Sequence, residues 1–125
     1  MHYSKLRISA DATSKLRALR QRTGLRPNLL CRIALMSSLE DGPLGDLWVP
    51  DEQGLEFNAY TLTGEYGALF AALLRWVEEG PAPDVPLDDE TLLRRLRGHL
   101  HRGVGTLSVR AKSVADVLRL VPTDA

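Results

Sequence analysis

The chain has a single cysteine, Cys31, so it can form no internal disulfide, and that cysteine lies inside an apolar run. Both features suit a reducing compartment and point to a cytoplasmic protein. No apolar run approaches the roughly 20 residues that span a bilayer, which excludes a membrane-spanning helix. The first residues lead into a basic segment with no apolar stretch of the kind a secretory signal needs. A Gly-rich phosphate loop, a cysteine pair and a Ser/His/Asp set with the spacing of a known hydrolase are all missing. His99 and His101 are two apart, so on a helix they face nearly opposite sides and cannot share a metal. The carboxylates Asp41, Asp46, Asp51, Glu52 and Glu56 follow no coordinating pattern such as a calcium loop. The expectation is a chain with no cofactor, no metal and no catalytic residue of its own.

What is present is charge, unevenly placed. The net charge of zero hides a segregation: residues 1–39 hold eight Lys/Arg against the single acid Asp11, and residues 40–90 hold thirteen acids against Arg75 alone. Residues 91–125 turn basic again, with seven Lys/Arg against two acids. Basic ends around an acidic middle suggest one surface facing a polyanion and another of opposite sign. Solvated helix faces that merely balance each other are the alternative.

The 125 residues fit one domain with three parts: a basic strand-helix-helix unit over 1–39, an acidic loop over 40–57 and a helical remainder over 58–121. Leu6 and Ile8 alternate with Lys5, Arg7 and Ser9, the period of a short half-buried strand or an extended lead-in. Ser9 or Asp11 can cap a helix running to about Thr23, with Ala12, Leu16 and Leu19 on its inner face. Gly24 ends it, and Pro27 opens a second helix to about Leu39. That second helix is apolar almost all round, so it is buried centrally or against another subunit. Gly42, Pro43, Gly45, Pro50 and Gly54 mark a loop, with Leu47, Trp48, Val49 and Phe57 expected to tuck inward.

A third helix is expected from Asn58 or Thr63 to Glu79, and a fourth from Asp88 or Asp89 to about Arg102, broken at Gly103-Val104-Gly105. Ser113 caps a last short helix reaching Val121. The fold class is an all-α small helical bundle with at most one short strand, its N-terminal unit of short strand plus two helices resembling a ribbon-helix-helix arrangement.

The candidate interface is the first unit. Lys15 and Arg22 are seven residues apart and share a helix face, Arg17 and Arg20 form a neighbouring stripe, and Arg26 lies in the turn. Helix N–H groups at that turn can also meet a phosphate. With Lys5 and Arg7 from the strand, these are the seven residues expected to bind DNA. An amphipathic hairpin with a solvated basic face is the alternative. A second set is Arg94, Arg95, Arg97, His99, His101, Arg102, Arg110 and Lys112; within it Arg95, His99 and Arg102 share a helix face that either touches phosphate or pairs with the acidic middle. A DNA-nicking activity could draw only on His2, Tyr3, His99 or His101, and an assembly scaffold is a further alternative.

Three stretches carry a resemblance. They are Leu6-Arg7-Ile8-Ser9 with Thr23-Gly24-Leu25-Arg26-Pro27-Asn28; Glu56-Phe57-Asn58-Ala59-Tyr60-Thr61-Leu62-Thr63-Gly64-Glu65-Tyr66; and His99-Leu100-His101-Arg102-Gly103-Val104-Gly105. Together they resemble DndE, the small subunit of the bacterial DNA phosphorothioation (DNA sulfur modification) system, over about residues 5–121. The second stretch is the most specific. The resemblance implies a mostly helical fold related to ribbon-helix-helix proteins, in which strands of two subunits pair in a DNA groove. It also implies self-association, with tetramers known in the family, binding of duplex and nicked DNA, and other subunits of the modification system as partners.

Overall fold

The computed structural model describes residues 1–45 and 49–120, and the expectations for Asp46, Leu47, Trp48 and the stretch from Val121 lie outside them. The element order is β1 (Lys5–Arg7), α1 (Ala10–Thr23), α2 (Pro27–Glu40), β2 (Glu56–Asn58) and α3 (Ala59–Thr63). A turn of 3₁₀ helix (Gly64–Tyr66) then leads into α4 (Gly67–Glu79), α5 (Asp89–Arg110) and α6 (Val114–Leu118). The protein is mostly helical with one small sheet, the expected class.

The local causes match the sequence in the first unit. The Ser9 hydroxyl accepts from the Ala12 N–H at 3.0 Å and starts α1. Gly24, with φ of 75°, ends it by donating to the Arg20 carbonyl. Pro27 sits at the first position of α2. Ala12, Leu16 and Leu19 face the core as their spacing requires.

Three expectations are corrected. There are two strands, and β1 pairs antiparallel with β2 of the same chain, with Leu6 opposite Phe57. The Arg7 carbonyl, on the other edge of β1, is taken by the Arg97 guanidinium at 2.8 Å. The ribbon is thus completed within the chain. The third helix is interrupted at Gly64, whose φ of 61° ends α3 before the 3₁₀ turn.

The largest correction concerns α5, which runs unbroken through Gly103 and Gly105 for 22 residues, about 33 Å at 1.5 Å per residue. Gly103 is there for proximity: a Cβ on it would lie 1.9 Å from the Ala34 carbonyl oxygen, so α2 and α5 cross backbone to backbone. Residues Leu96, Arg97, Gly98, His99 and Leu100 are all buried, which makes α5 the axis of the bundle. α2 packs beside it, burying Leu30, Cys31, Ala34, Leu35 and Leu39 while Leu29 and Met36 stay exposed. Of the loop residues expected to tuck inward, Phe57 does so and Val49 is exposed. No helix among the described residues is long and apolar enough to cross a membrane.

Candidate nucleic-acid interface

The segment 51–57 wraps the start of α1 because several groups tie it there. Asp51 accepts from the Ala10 and Gln53 N–H groups, each at 3.0 Å. Those bonds hold its carboxyl below the ordinary range. Gly54 donates to the Ile8 carbonyl at 2.8 Å, and the Leu55 N–H donates to the Thr13 hydroxyl at 2.8 Å. A side chain at Gly54 would collide with Thr13 and the Ser9 carbonyl, so only glycine admits this approach.

Between that segment and α1 lies a shallow groove. It consists of two hollows of about 340 and 330 Å³ that share Leu55 and Glu56 as a common wall. Arg7 and Arg17 line the first hollow, and Arg20 and Arg26 the second. The second ends at Pro27 and Asn28, where no side chain caps α2, so the positive end of the α2 dipole opens onto it. Glu56 stands in the groove, 3.5 Å from the Arg7 guanidinium.

Four of the seven expected residues are therefore brought together. Arg17, Arg20 and Arg26 are exposed, with no ion pair among the described residues. Lys15 and Arg22 lie on the opposite flank of α1, about 140–160° from Arg17 at 100° per residue. Lys15 pairs with Asp11 at 2.8 Å, and Arg22 reaches the Ser108 carbonyl on α5 at 3.2 Å. Lys5 is exposed on the ribbon opposite Asn58.

Three arginines of the second basic set are spent inside the fold, while Arg94, Arg110 and Lys112 stay exposed. Arg95 pairs with Glu78 at 3.2 Å, and Arg97 with Glu52 at 3.0 Å. Arg102 donates to the Ser38 hydroxyl at 2.8 Å and to the Ser38 and Gly42 carbonyls at 2.6 Å each. Of the two alternatives for the Arg95, His99 and Arg102 stripe, pairing with the acidic middle holds for Arg95, and Arg97 outside the stripe pairs the same way.

The sequence matches the family described as DNA sulphur modification protein DndE over residues 5–115. The chain belongs to the DndE family. Its fold is similar to the crystal structure of DndE from Escherichia coli B7A, described as involved in DNA phosphorothioation modification. The TM-score is 0.73 at 22% identity, with 86% of this chain and 100% of that one covered. A DndE variant with two glycines changed to lysine, described as involved in DNA phosphorothioation, gives a TM-score of 0.70 at 20% identity, covering 86% of this chain and 99% of that one. No curated protein is significantly similar in sequence.

In this DndE-family chain the histidines and tyrosine considered for backbone cleavage have definite places. His99 is fully buried, its Nδ1 2.8 Å from the Ser38 hydroxyl and its Nε2 2.9 Å from Glu78. Arg102 donates to Ser38, so the hydroxyl proton goes to Nδ1 and the Nε2–H to the carboxylate. Burial lowers the His99 pKa, against the pull of Glu78. Glu78 itself is raised by burial but held lower overall by His99 and by the Leu44 and Gly45 N–H groups. This Ser-His-Glu chain resembles a nucleophilic triad in order alone, since none of its members reaches solvent. His101 is tied to the Ser9 hydroxyl at 2.7 Å, and burial likewise lowers it. The Tyr3 phenol is raised by burial, with Thr63 partly opposing. His2 is exposed. Among the described residues no three His, Cys, Asp or Glu side chains converge as a metal site.

Sequence reasoning missed the Ser38–His99–Glu78 chain and the groove's far wall. The acid Glu78 lies 21 residues before His99, on a different helix. Ser38 is one of two adjacent serines in a mostly apolar helix, and a serine on its buried face was the available signal.

Proposed function

We propose that this chain is a non-catalytic DNA-binding subunit of a DNA phosphorothioation machinery, holding duplex and nicked DNA in the groove beside α1. The observation that carries the reading is the separation of cations by use. Arg95, Arg97 and Arg102 of α5 are taken up by partners within the fold, whereas Arg17, Arg20 and Arg26 face solvent beside Arg7, next to the open N-terminus of α2. Phosphate contacts need charges that are not already neutralised. Family membership and the phosphorothioation role given for the Escherichia coli relative support the same reading. Lys5, on the adjoining ribbon, extends the basic surface, and Lys15 and Arg22 extend it over the other flank of α1. The protein acts in the cytoplasm as a homo-oligomer beside other subunits of the modification system.

Fluorescence anisotropy with intact and nicked duplex at several salt concentrations tests this. Four phosphate contacts per subunit give a log–log slope of about −3.6, and roughly a hundredfold loss of affinity between 50 and 200 mM salt. Reversing Arg17 and Arg20 to Glu should abolish binding while helical circular dichroism is unchanged. A slope near zero, or binding that survives the reversal, overturns the groove. The same protein incubated with supercoiled plasmid should retard it without relaxing it; relaxation would mean a nicking enzyme.

A further inference from the structure

Tyr60 is 74% exposed, an unusual position for so large an aromatic ring, and it lies in the most specific stretch of the sequence. Its backbone is held in place. α3 is five residues long, too short to persist alone, yet its backbone is fixed at several points. Asn58 Oδ1 accepts from the Thr61 N–H at 2.7 Å, and the Ala59 N–H donates to the Ser4 carbonyl at 2.9 Å. Arg32 donates to the Leu62 carbonyl at 2.9 Å and the Thr61 carbonyl at 3.2 Å. Leu62 and Thr63 turn into the core, leaving Tyr60 and Thr61 on the outward face. Thr61 lines the end of the groove that Arg20 and Arg26 line. The other exposed aromatics among the described residues, Tyr66 and Trp76, belong to the stretch from the 3₁₀ turn through α4, no residue of which lines the groove.

We infer that Tyr60 is a stacking platform for an unpaired nucleobase at the end of the cationic groove. An intact duplex hides its base faces, so arginines can grip its backbone while the ring has nothing to stack on. At a gap or a frayed nick one base face is open, and an exposed aromatic beside bound phosphates takes it regardless of base identity. Tyr60 then supplies the discrimination between interrupted and intact DNA that phosphate contacts cannot supply. This rests on the groove being a DNA site, and the test separates the two claims.

Affinities of the wild-type chain, Tyr60→Ala and Tyr60→Phe are measured by anisotropy for three duplexes. These are an intact duplex, one with a single-nucleotide gap, and one with the same gap opposite an abasic site. For the wild type, the gapped duplex should bind about tenfold more tightly than the abasic one. Tyr60→Ala should erase that difference without changing intact-duplex affinity, and Tyr60→Phe should keep it. Wild-type protein that binds none of the probes overturns the groove and this site together. Wild-type protein that binds DNA, with a Tyr60→Ala variant that keeps the preference, overturns the stacking site alone.

Discussion

His99 has no exposed surface, and its neighbours leave it one comfortable protonation state. Ser38 presents a proton to Nδ1, Arg102 and Arg95 stand nearby as fixed positive charges, and only Glu78 favours the imidazolium. Burial outweighs Glu78, so the folded pKa lies below the ordinary value of about 6.5. The folded state thus refuses a proton that the unfolded chain accepts. The stability His99 contributes is complete above about pH 6.5 and is lost as pH falls toward its lowered value. Chemical denaturation of the wild type should show a falling midpoint from pH 7 to 5. His99→Gln should flatten that fall while being less stable at pH 7. His101 is lowered too, so His101→Gln serves as the control; a slope that persists in His99→Gln and vanishes in His101→Gln would assign the effect to the wrong histidine. Little of this was legible in the sequence, where a histidine, a serine and a glutamate far apart gave no sign of meeting.

At the scale of elements, the strand-helix-helix unit was readable because its signals are local. Ser9, Gly24 and Pro27 each act within four residues of themselves, and the alternation of Leu6 and Ile8 needs no partner to be seen. β2 was not readable, since three residues inside an acidic loop form a strand only because β1 is there to pair. α5 was misread for a related reason: Gly103 and Gly105 look alike as helix breakers but serve different ends. Gly103 meets the Ala34 backbone, which cannot yield, whereas a Cβ at Gly105 would meet only the Lys15 Nζ at 3.9 Å. The two substitutions to Ala should therefore have opposite signs. Gly105→Ala gains the helix propensity difference and should stabilise by about 0.5–1 kcal/mol. Gly103→Ala gains the same but forces α2 and α5 apart, and should cost a net 1–3 kcal/mol or more. Thermal denaturation of both variants checks this, and equal shifts would mean the helix crossing is looser than described.

At the scale of the whole molecule, the charge segregation seen in the sequence is partly folded inward. Glu78 and Glu52 neutralise Arg95 and Arg97, and Asp51 is tied to α1, so the acidic loop wraps the candidate interface instead of pointing away from it. Apart from the cationic groove, the fold also leaves an apolar surface open. Of the two burials expected for α2, central or against another subunit, the central one holds: α5 and the smaller helices cover most of it. The uncovered surface lies instead on and before α4, where Tyr66, Leu69 and Trp76 are half or more exposed at helical spacing. A hollow of about 360 Å³ lined by Ile33, Met36, Phe70 and Leu120 among others lies where α2 meets α4. In water such a surface is costly unless it is covered, and a second copy is the occupant consistent with the proposed homo-oligomer. Multi-angle light scattering should give the wild type a mass above the 13.8 kDa of one chain. Changing Leu69 and Trp76 together to Glu should return it to that mass with its circular dichroism intact, because both side chains face solvent in the single chain. Arg17, Arg20 and Arg26 line a different face, so the monomeric variant should keep its intrinsic affinity for short duplex while losing any gain from multivalency. A wild type that stays monomeric at all concentrations, or a variant whose assembly is unchanged, would place the oligomer interface elsewhere or remove it.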